Sequence, residues 1–363
     1  MVEIQGMASK SAIKAGIIGC VESAGNYVAA GKSFGNFEVV ACADADADCT
    51  QAFAAAQGIA RTLEEEELVA DPGVDLVINL ASLPVRAQVT LAALAKGKHV
   101  YSEGPLARKR KETKEILEAA QASKLRVACG PDMFLGPALQ ACRSVIDSGA
   151  IGEPIWANVS FMYAGPETWH PEPEMLYKKA GGPLFDYGPA VLTALMSMLG
   201  PVREAFAIAS GKSRERTIAT GPFAGRKFTA EAPTTINASV HFESGANATL
   251  LFSYDFDPGA MPSFYIYGDK GHLSLPFEGC PQISRAGQME MEDIACPDTA
   301  SKPGIGVADL AAAIINGREP RASARMGFHV LDVLHSILDS AEKRTPIELT
   351  STMTRPAPLN GRL

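Results

Sequence analysis

The segment Gly165–Lys179 gathers side chains that move protons and grip polar ligands: Glu167, Trp169, His170, Tyr177, Lys178 and Lys179, with Pro166, Pro171 and Pro173 among them. It holds too few aliphatic residues to be core. Trp and His on a proline-stiffened loop suit the face and hydroxyls of a sugar. His170 is the first candidate for proton transfer and Lys178 the second. The alternative is a structural Ω-loop in which His170 is hydrogen-bonded locally. Trp169 and Tyr163 are candidates for substrate contact. Tyr187 can donate a proton or stack on a ring substrate, or serve as a core tyrosine. Arg86 can meet an anionic group on a substrate or lie on the surface.

A second constellation stands near the amino terminus. Gly19-Cys20-Val21-Glu22-Ser23-Ala24-Gly25 follows an apolar strand candidate and opens a helix candidate. The dinucleotide fingerprint GxGxxG/A wants glycine at its second place, so that pyrophosphate can approach the backbone. That place is Val21; Gly19 fits the first place and Ala24 the third. Asp44 ends the next strand candidate, where a carboxylate binds the ribose 2′-hydroxyl and repels the 2′-phosphate of NADP. The expected cofactor is therefore NAD, with NADP disfavoured. The alternative is that Asp44 caps the following helix. Ser23, and Asn79, Ala81, Glu103 and Gly104 at the ends of later strand candidates, complete the expected cofactor contacts.

These residues need a scaffold that brings them together. Strand candidates at Ala15–Cys20, Glu38–Asp44, Asp75–Ala81, His99–Glu103 and Arg126–Cys129 alternate with helix candidates at Asn26–Ser33, Asp46–Gln57, Leu63–Val69, Val85–Lys96 and Lys111–Ser123. Apolar strands without strict alternation, separated by helices, indicate a parallel sheet covered on both faces. The ligand crevice then lies at the strands' carboxyl ends.

Past Gly130-Pro131 the pattern changes. A helix is expected over 136–148, then period-2 strands on Ile155–Tyr163, Ile236–Glu243 and Ala248–Phe256, and a hairpin around Gly268–Gly271. A helix covers 326–343. The expected fold class is α/β: a doubly wound Rossmann sheet, then an α+β domain with a large, mostly antiparallel open sheet. The boundaries are 12–130 for dinucleotide binding, 131–344 for substrate and oligomerisation, and 345–363 for an extended tail.

The composition narrows the partners. The net charge is −8, and the one basic run, Arg108–Lys111, sits on a helix pattern with Glu112 and Glu115. It reads as a solvated face, so neither nucleic acid nor anionic membrane is expected. No secretory signal is seen in Met1–Ala12, and no apolar run is long enough to span a bilayer. Seven scattered cysteines without CxxC read as reduced thiols of a cytoplasmic protein. No cluster has metal-ligand spacing. His99, His241, His272, His329 and His335 lie on strand or helix patterns and read as structural.

Together, Ala15–Cys20, Val39–Asp44, Asp75–Leu80, Ala95–Glu103, Pro131–Gly136, Gly181–Asp186 and Gly306–Pro320 resemble the glucose–fructose oxidoreductase / inositol dehydrogenase / rhizopine catabolism (Gfo/Idh/MocA) family. The resemblance spans nearly the whole chain. It implies NAD(P)-linked oxidation or reduction of a sugar, glycoside or cyclitol hydroxyl, between the nicotinamide and the open sheet. It also implies a homo-oligomer, dimer or tetramer, with Phe161, Tyr254, Tyr265 and Tyr267 available to an interface or to a core.

Three family places depart from the pattern. Besides Val21, Glu-Lys-Pro reads Glu103-Gly104-Pro105, and the histidine of Asp-x-Gly-x-His is Ala190. The aspartate of that motif matches at Asp186, which the resemblance makes a candidate catalytic or binding acid; the alternative is a cap or a satisfied buried carboxylate. The missing lysine suggests open space beside the nicotinamide at Gly104, on a bond that is cis in the family. The alternatives are a redox-neutral glycoside elimination using bound NAD, or a dinucleotide-binding sensor without turnover.

Overall fold

Five short strands, β1 (Ile13–Ile18), β2 (Phe37–Ala43), β3 (Leu76–Asn79), β4 (His99–Ser102) and β5 (Val127–Cys129), form a parallel sheet in the order 2-1-3-4-5. Their apolar runs are buried from both sides, as in Leu76-Val77-Ile78-Asn79, where no residue is exposed. Helices α1 (Ala24–Phe34), α2 (Ala47–Gln57), α3 (Glu65–Ala70), α4 (Leu83–Ala95) and α5 (Arg110–Ser123) connect and cover them. Gly35 and Gly58 end α1 and α2 in the left-handed conformation that glycine adopts without strain. The strand order reverses between β1 and β3, so the crevice opens where their carboxyl ends diverge. The computed structural model describes residues 12–359, apart from 180, 212–213, 257–261, 277–278, 289 and 297–302. Residues 1–11 of the stretch read for a signal, and 360–363 of the tail, lie outside the described residues.

The second half opens with α6 (Pro137–Asp147), β6 (Pro154–Met162) and α7 (Gly182–Leu199). Then come β7 (Val202–Ser210), a small hairpin of β8 (Glu215–Thr217) and β9 (Lys227–Thr229), β10 (Thr235–Phe242) and β11 (Asn247–Ser253). β12 (Ser263–Gly268), β13 (Gly271–Ser274), β14 (Gln282–Arg285) and β15 (Glu292–Asp293) follow. The chain ends with α8 (Ile305–Asn316), α9 (Ala324–Lys343) and β16 (Ile347–Glu348). Nine strands form one sheet in the order 15-14-13-12-6-11-10-7-16, mostly antiparallel, with β6 and β11 parallel.

One face of this sheet is core. Ala157, Val159, Ala238, Val240, Leu250 and Phe252 are essentially inaccessible and share a cluster with the buried faces of α7 and α9. The opposite face leaves Trp156, Phe206, Ile208 and Tyr267 between 38% and 68% exposed.

Two helices escape the sequence pattern. In α7, fourteen of eighteen residues are buried and Pro189 lies inside. α8 is nearly as apolar. Neither has a polar stripe to reveal its period. α8 also packs across the expected division at residue 130. Its Val307, Ala308, Leu310 and Ala311 pack with Ala15, Ile17, Tyr27 and Ala30 in the core of the first sheet.

The extended tail docks back onto the second half. β16 pairs with β7 at the sheet edge, Met353 is buried, and Arg143 Nη1 donates to the Pro356 carbonyl at 2.9 Å. The basic run keeps its solvated lysines, but Arg110 turns inward to Asp332 (2.5 Å) and Asp339 (3.0 Å) of α9.

Candidate active site

The turn between β1 and α1 is built around Gly19. Its φ is +99°, and a Cβ there would lie 2.7 Å from the Leu80 carbonyl carbon. Only glycine lets the strand end pass so close to the β3–α4 turn. Ser23 stands at the N-cap of α1 without a side-chain cap bond, so the helix presents its first N–H groups uncapped by a side chain. Ala24 is buried and Val21 is 45% exposed, pointing off the fold.

Asp44 Oδ2 accepts the Cys20 N–H at 2.7 Å, and its Oδ1 accepts the Asp46 N–H at 3.0 Å. The cap of α2 is Asp46, not Asp44: Asp46 accepts from Asp48 and Cys49 N–H. Asp44 instead borders a cleft of about 140 Å³ with Ala47, Thr50, Gln51, Glu64 and Glu67, and no Lys or Arg is in its lining. A glycine cradle, an uncapped helix start and an acid at the end of β2 fit a dinucleotide. The carboxylates fit a free 2′-hydroxyl and oppose a 2′-phosphate.

The floor of the crevice differs from expectation. Gly104–Pro105 is cis, and so is Gly130–Pro131. A Cβ on Gly104 would collide with the Gly130 carbonyl oxygen. Gly104 is therefore closed by backbone and offers no open space.

Arg86 is buried, not a surface arginine, and its described contacts are to backbone rather than outward to a substrate anion. Its Nε donates to the Ala81 carbonyl (3.1 Å), and Nη1 to the carbonyls of Glu103 (3.3 Å), Gly104 (3.1 Å) and Pro105 (3.1 Å). Burial pushes its pKa down. Asn79 is wholly buried. Its amide donates to the Arg86 carbonyl and Thr90 Oγ1 and accepts from Ala81 N–H, so it supports the crevice from beneath. Glu103 accepts the Tyr27 hydroxyl at 3.3 Å.

Sequence reasoning passed over Asp132. It accepts Tyr101 OH (2.9 Å) and Gly306 N–H (2.8 Å), and burial raises its carboxyl. It ties β4 and the loop after β5 to the start of α8.

In the second half of the chain, α7 carries Asp186, exposed, in its second turn. Asp186 Oδ2 accepts two phenols, Tyr163 OH and Tyr254 OH, each at 2.9 Å. Tyr187 stacks on Phe161 (centroids 5.0 Å apart, 20° between planes) and meets Tyr163 edge-on at 5.1 Å. Burial pushes the Tyr163 and Tyr254 phenols well above their ordinary value, so both are neutral donors. Tyr163, Asp186 and Tyr187 are thus brought together as one cluster. Tyr254 joins them unforeseen, since its sequence pattern shows only a buried strand residue. Phe161 and Tyr254 take part in this cluster, Tyr254 as a buried residue.

The loop 165–179 is anchored to the same place. Glu167 pairs with Arg216 (3.0 Å) and accepts Tyr177 OH. Tyr177 packs edge-on against Tyr254 at 5.3 Å. Glu167 and Tyr177 are therefore buried anchors. Trp169 stays 59% exposed. His170 Nδ1 accepts the Glu172 N–H at 2.9 Å, the local bonding foreseen as the alternative, which leaves Nε2 to carry the proton. Lys178 does not join the cluster: it pairs with Glu231 at 2.6 Å on the surface, and that hydrogen bond raises its pKa, the wrong direction for a base.

Among the described residues no group of His, Cys, Asp and Glu could hold a metal ion, and no helix is long and apolar enough to cross a membrane.

Comparison with known proteins agrees with this geometry. A match of 33% identity over 145 residues links the chain to a 1,5-anhydro-D-fructose reductase of Ensifer adhaerens, covering 40% of this chain and 44% of that protein. Inositol 2-dehydrogenase 3 of Saccharopolyspora erythraea is 33% identical over 136 residues, 37% of this chain and 40% of that one. The matched stretch thus spans less than half the length of either curated relative. In fold, a levoglucosan dehydrogenase solved with NADH and levoglucosan superposes with a TM-score of 0.80, covering 94% of this chain and all of that one at 18% identity. Residues 13–130 match the oxidoreductase family with an NAD-binding Rossmann fold, and 139–274 match the same family's C-terminal domain. The chain belongs to the Gfo/Idh/MocA family of NAD-binding oxidoreductases.

Proposed function

We propose that this protein is an NAD-dependent dehydrogenase of a sugar or cyclitol hydroxyl, in which Asp186 takes the hydroxyl proton in place of the family's lysine and histidine. The observation that carries this reading is the exposed Asp186 carboxylate held by two tyrosine hydroxyls at 2.9 Å. NAD, when bound at the β1–α1 turn, supplies the hydride acceptor. A carboxylate suffices as the proton acceptor, because an alcohol's proton becomes strongly acidic as its carbon loses hydride. Tyr163 and Tyr254 fix the carboxylate's direction, and Tyr187 with Phe161 offers an aromatic wall against a ring substrate. In this reading Trp169 and His170, on the anchored loop, serve as substrate contacts rather than as the main proton carrier, and Arg86 and Asn79 support the crevice floor.

The substrate class draws support from relatives named for an anhydro-sugar and for inositol. The acidic cleft around Asp44 supports NAD over NADP. A homo-oligomer paired through the exposed sheet face, where Tyr265 stacks on Tyr267 beside Trp156, Phe206 and Ile208, follows from the apolar area left open there. Seven free cysteines suit a reducing, cytoplasmic setting.

The test is a panel of sugars, glycosides and cyclitols incubated with protein and NAD+, read as absorbance of the reduced cofactor. Reduced cofactor with one class of polyol supports the dehydrogenase. Tight NAD+ binding with no turnover on the panel would favour a sensor instead.

A further inference from the structure

A larger cavity, about 610 Å³, lies beside α5 and the amino end of β5. The crevice opens at the carboxyl ends of the strands, whereas this cavity is floored by Leu125 and Val127, at the amino end of β5, and by Leu117 and Ala120 of α5. Its volume falls within the range of small-molecule sites, about 300–1,000 Å³.

The rim is cationic. Arg318, Arg321, Arg325 and Arg355 line it, with Glu319 as the single acid in the lining. The acids behind the rim do not balance these charges. Asp309, wholly buried in α8, takes both Arg318 Nη2 (2.6 Å) and Arg321 Nη1. Asp147 takes both Arg355 Nη2 (2.8 Å) and Arg143 Nε (2.7 Å). The Arg325 side chain is exposed and makes no hydrogen bond or ion pair to any described residue. Five arginines thus face three acids. Arg325 also stands in the first turn of the 20-residue α9.

We propose that this cavity binds a small organic acid, with a carboxylate or phosphate head on the arginine rim and an apolar body on the Leu117–Val127 floor. An inorganic anion would leave the floor unfilled, and a bare sugar would bring no charge for Arg325. The proposal stands apart from the reading of Asp186, since the two sites share no residue.

The experiment is calorimetric titration of the full chain with octanoate, phenyl phosphate and inorganic phosphate, repeated at saturating NAD+. The expected result is one saturable site for octanoate or phenyl phosphate, unaffected by NAD+ occupancy of its own site. Arg325→Glu removes the cation whose side chain has no partner among the described residues, and Gln121→Trp fills the mouth from an exposed position of α5. Each should weaken that binding at least tenfold while leaving Tm and NAD+ affinity at wild-type values. No saturable binding of either organic probe overturns the proposal. So does binding that either substitution leaves unchanged, or inorganic phosphate binding as tightly as phenyl phosphate.

Discussion

Arg86 and Gly104 show how single residues shape the crevice. Arg86 satisfies four carbonyls from two loops, three of them on Glu103, Gly104 and Pro105. Arg86→Ala strands those acceptors and is expected to cost roughly 3 kcal/mol of stability, seen as a lowered Tm, and to weaken NAD+ binding in calorimetry. An unchanged melting curve would mean the clamp is dispensable. At Gly104 the family carries lysine, so restoring it looks like a repair. The Gly130 carbonyl already occupies the space a Cβ needs. Gly104→Lys is therefore expected to lose roughly 2 kcal/mol rather than gain activity; higher turnover in that variant would refute the packing argument. Neither point is legible in the sequence. A missing side chain says nothing about which backbone fills the gap, and Arg86 reads alike as a surface or a site residue.

At the scale of elements, legibility follows pattern. The five strands of the first sheet and their helices are readable to within a few residues, because apolar strand runs and polar helix faces alternate. α7 and α8 are hidden because most positions in them are buried, so neither shows an apolar stripe against a polar face. The Asp186 cluster is hidden for another reason: Tyr254 reaches Asp186 across 68 positions of chain, a contact no local spacing encodes. His329 on α9 offers a test of an element in its setting. It is wholly buried, Nε2 accepting from Val202 N–H at 2.9 Å and Nδ1 bonded to Ser351. Burial lowers its pKa to about 4. The folded protein thus favours neutral His329, so its contribution is complete above pH of about 6.5 and is lost as pH falls towards 4. The loss is on the order of 3 kcal/mol. Denaturant unfolding followed from pH 7 to pH 4 should show it in wild type and show less of it in His329→Gln, if that variant folds; identical pH slopes would contradict the assignment.

For the whole molecule, the two sheets answer different needs. The first is covered on both faces and gathers its loops into one crevice. The second is packed on one face by α7 and α9 and leaves Ile208 68% exposed on the other. Ile208→Asp should shift the protein towards monomer in sedimentation velocity with little change in Tm; an unchanged sedimentation coefficient in an assembled protein would place the contact elsewhere. α8 binds the halves together, since Asp132, after β5, holds the Gly306 N–H. A boundary drawn at residue 130 misses this, because chain order does not record which core a late helix rejoins.

The most direct test of the account is the hydride-transfer burst of wild type and Asp186→Asn at saturating NAD+, with the best polyol from the panel. Asn keeps the size of the side chain and the two tyrosine contacts but removes the proton acceptor. The account predicts a burst rate at least 100-fold slower, from general-base effects of about 10²–10⁴, with NAD+ affinity unchanged. A burst rate within a few-fold of wild type would contradict it and move the proton to another group.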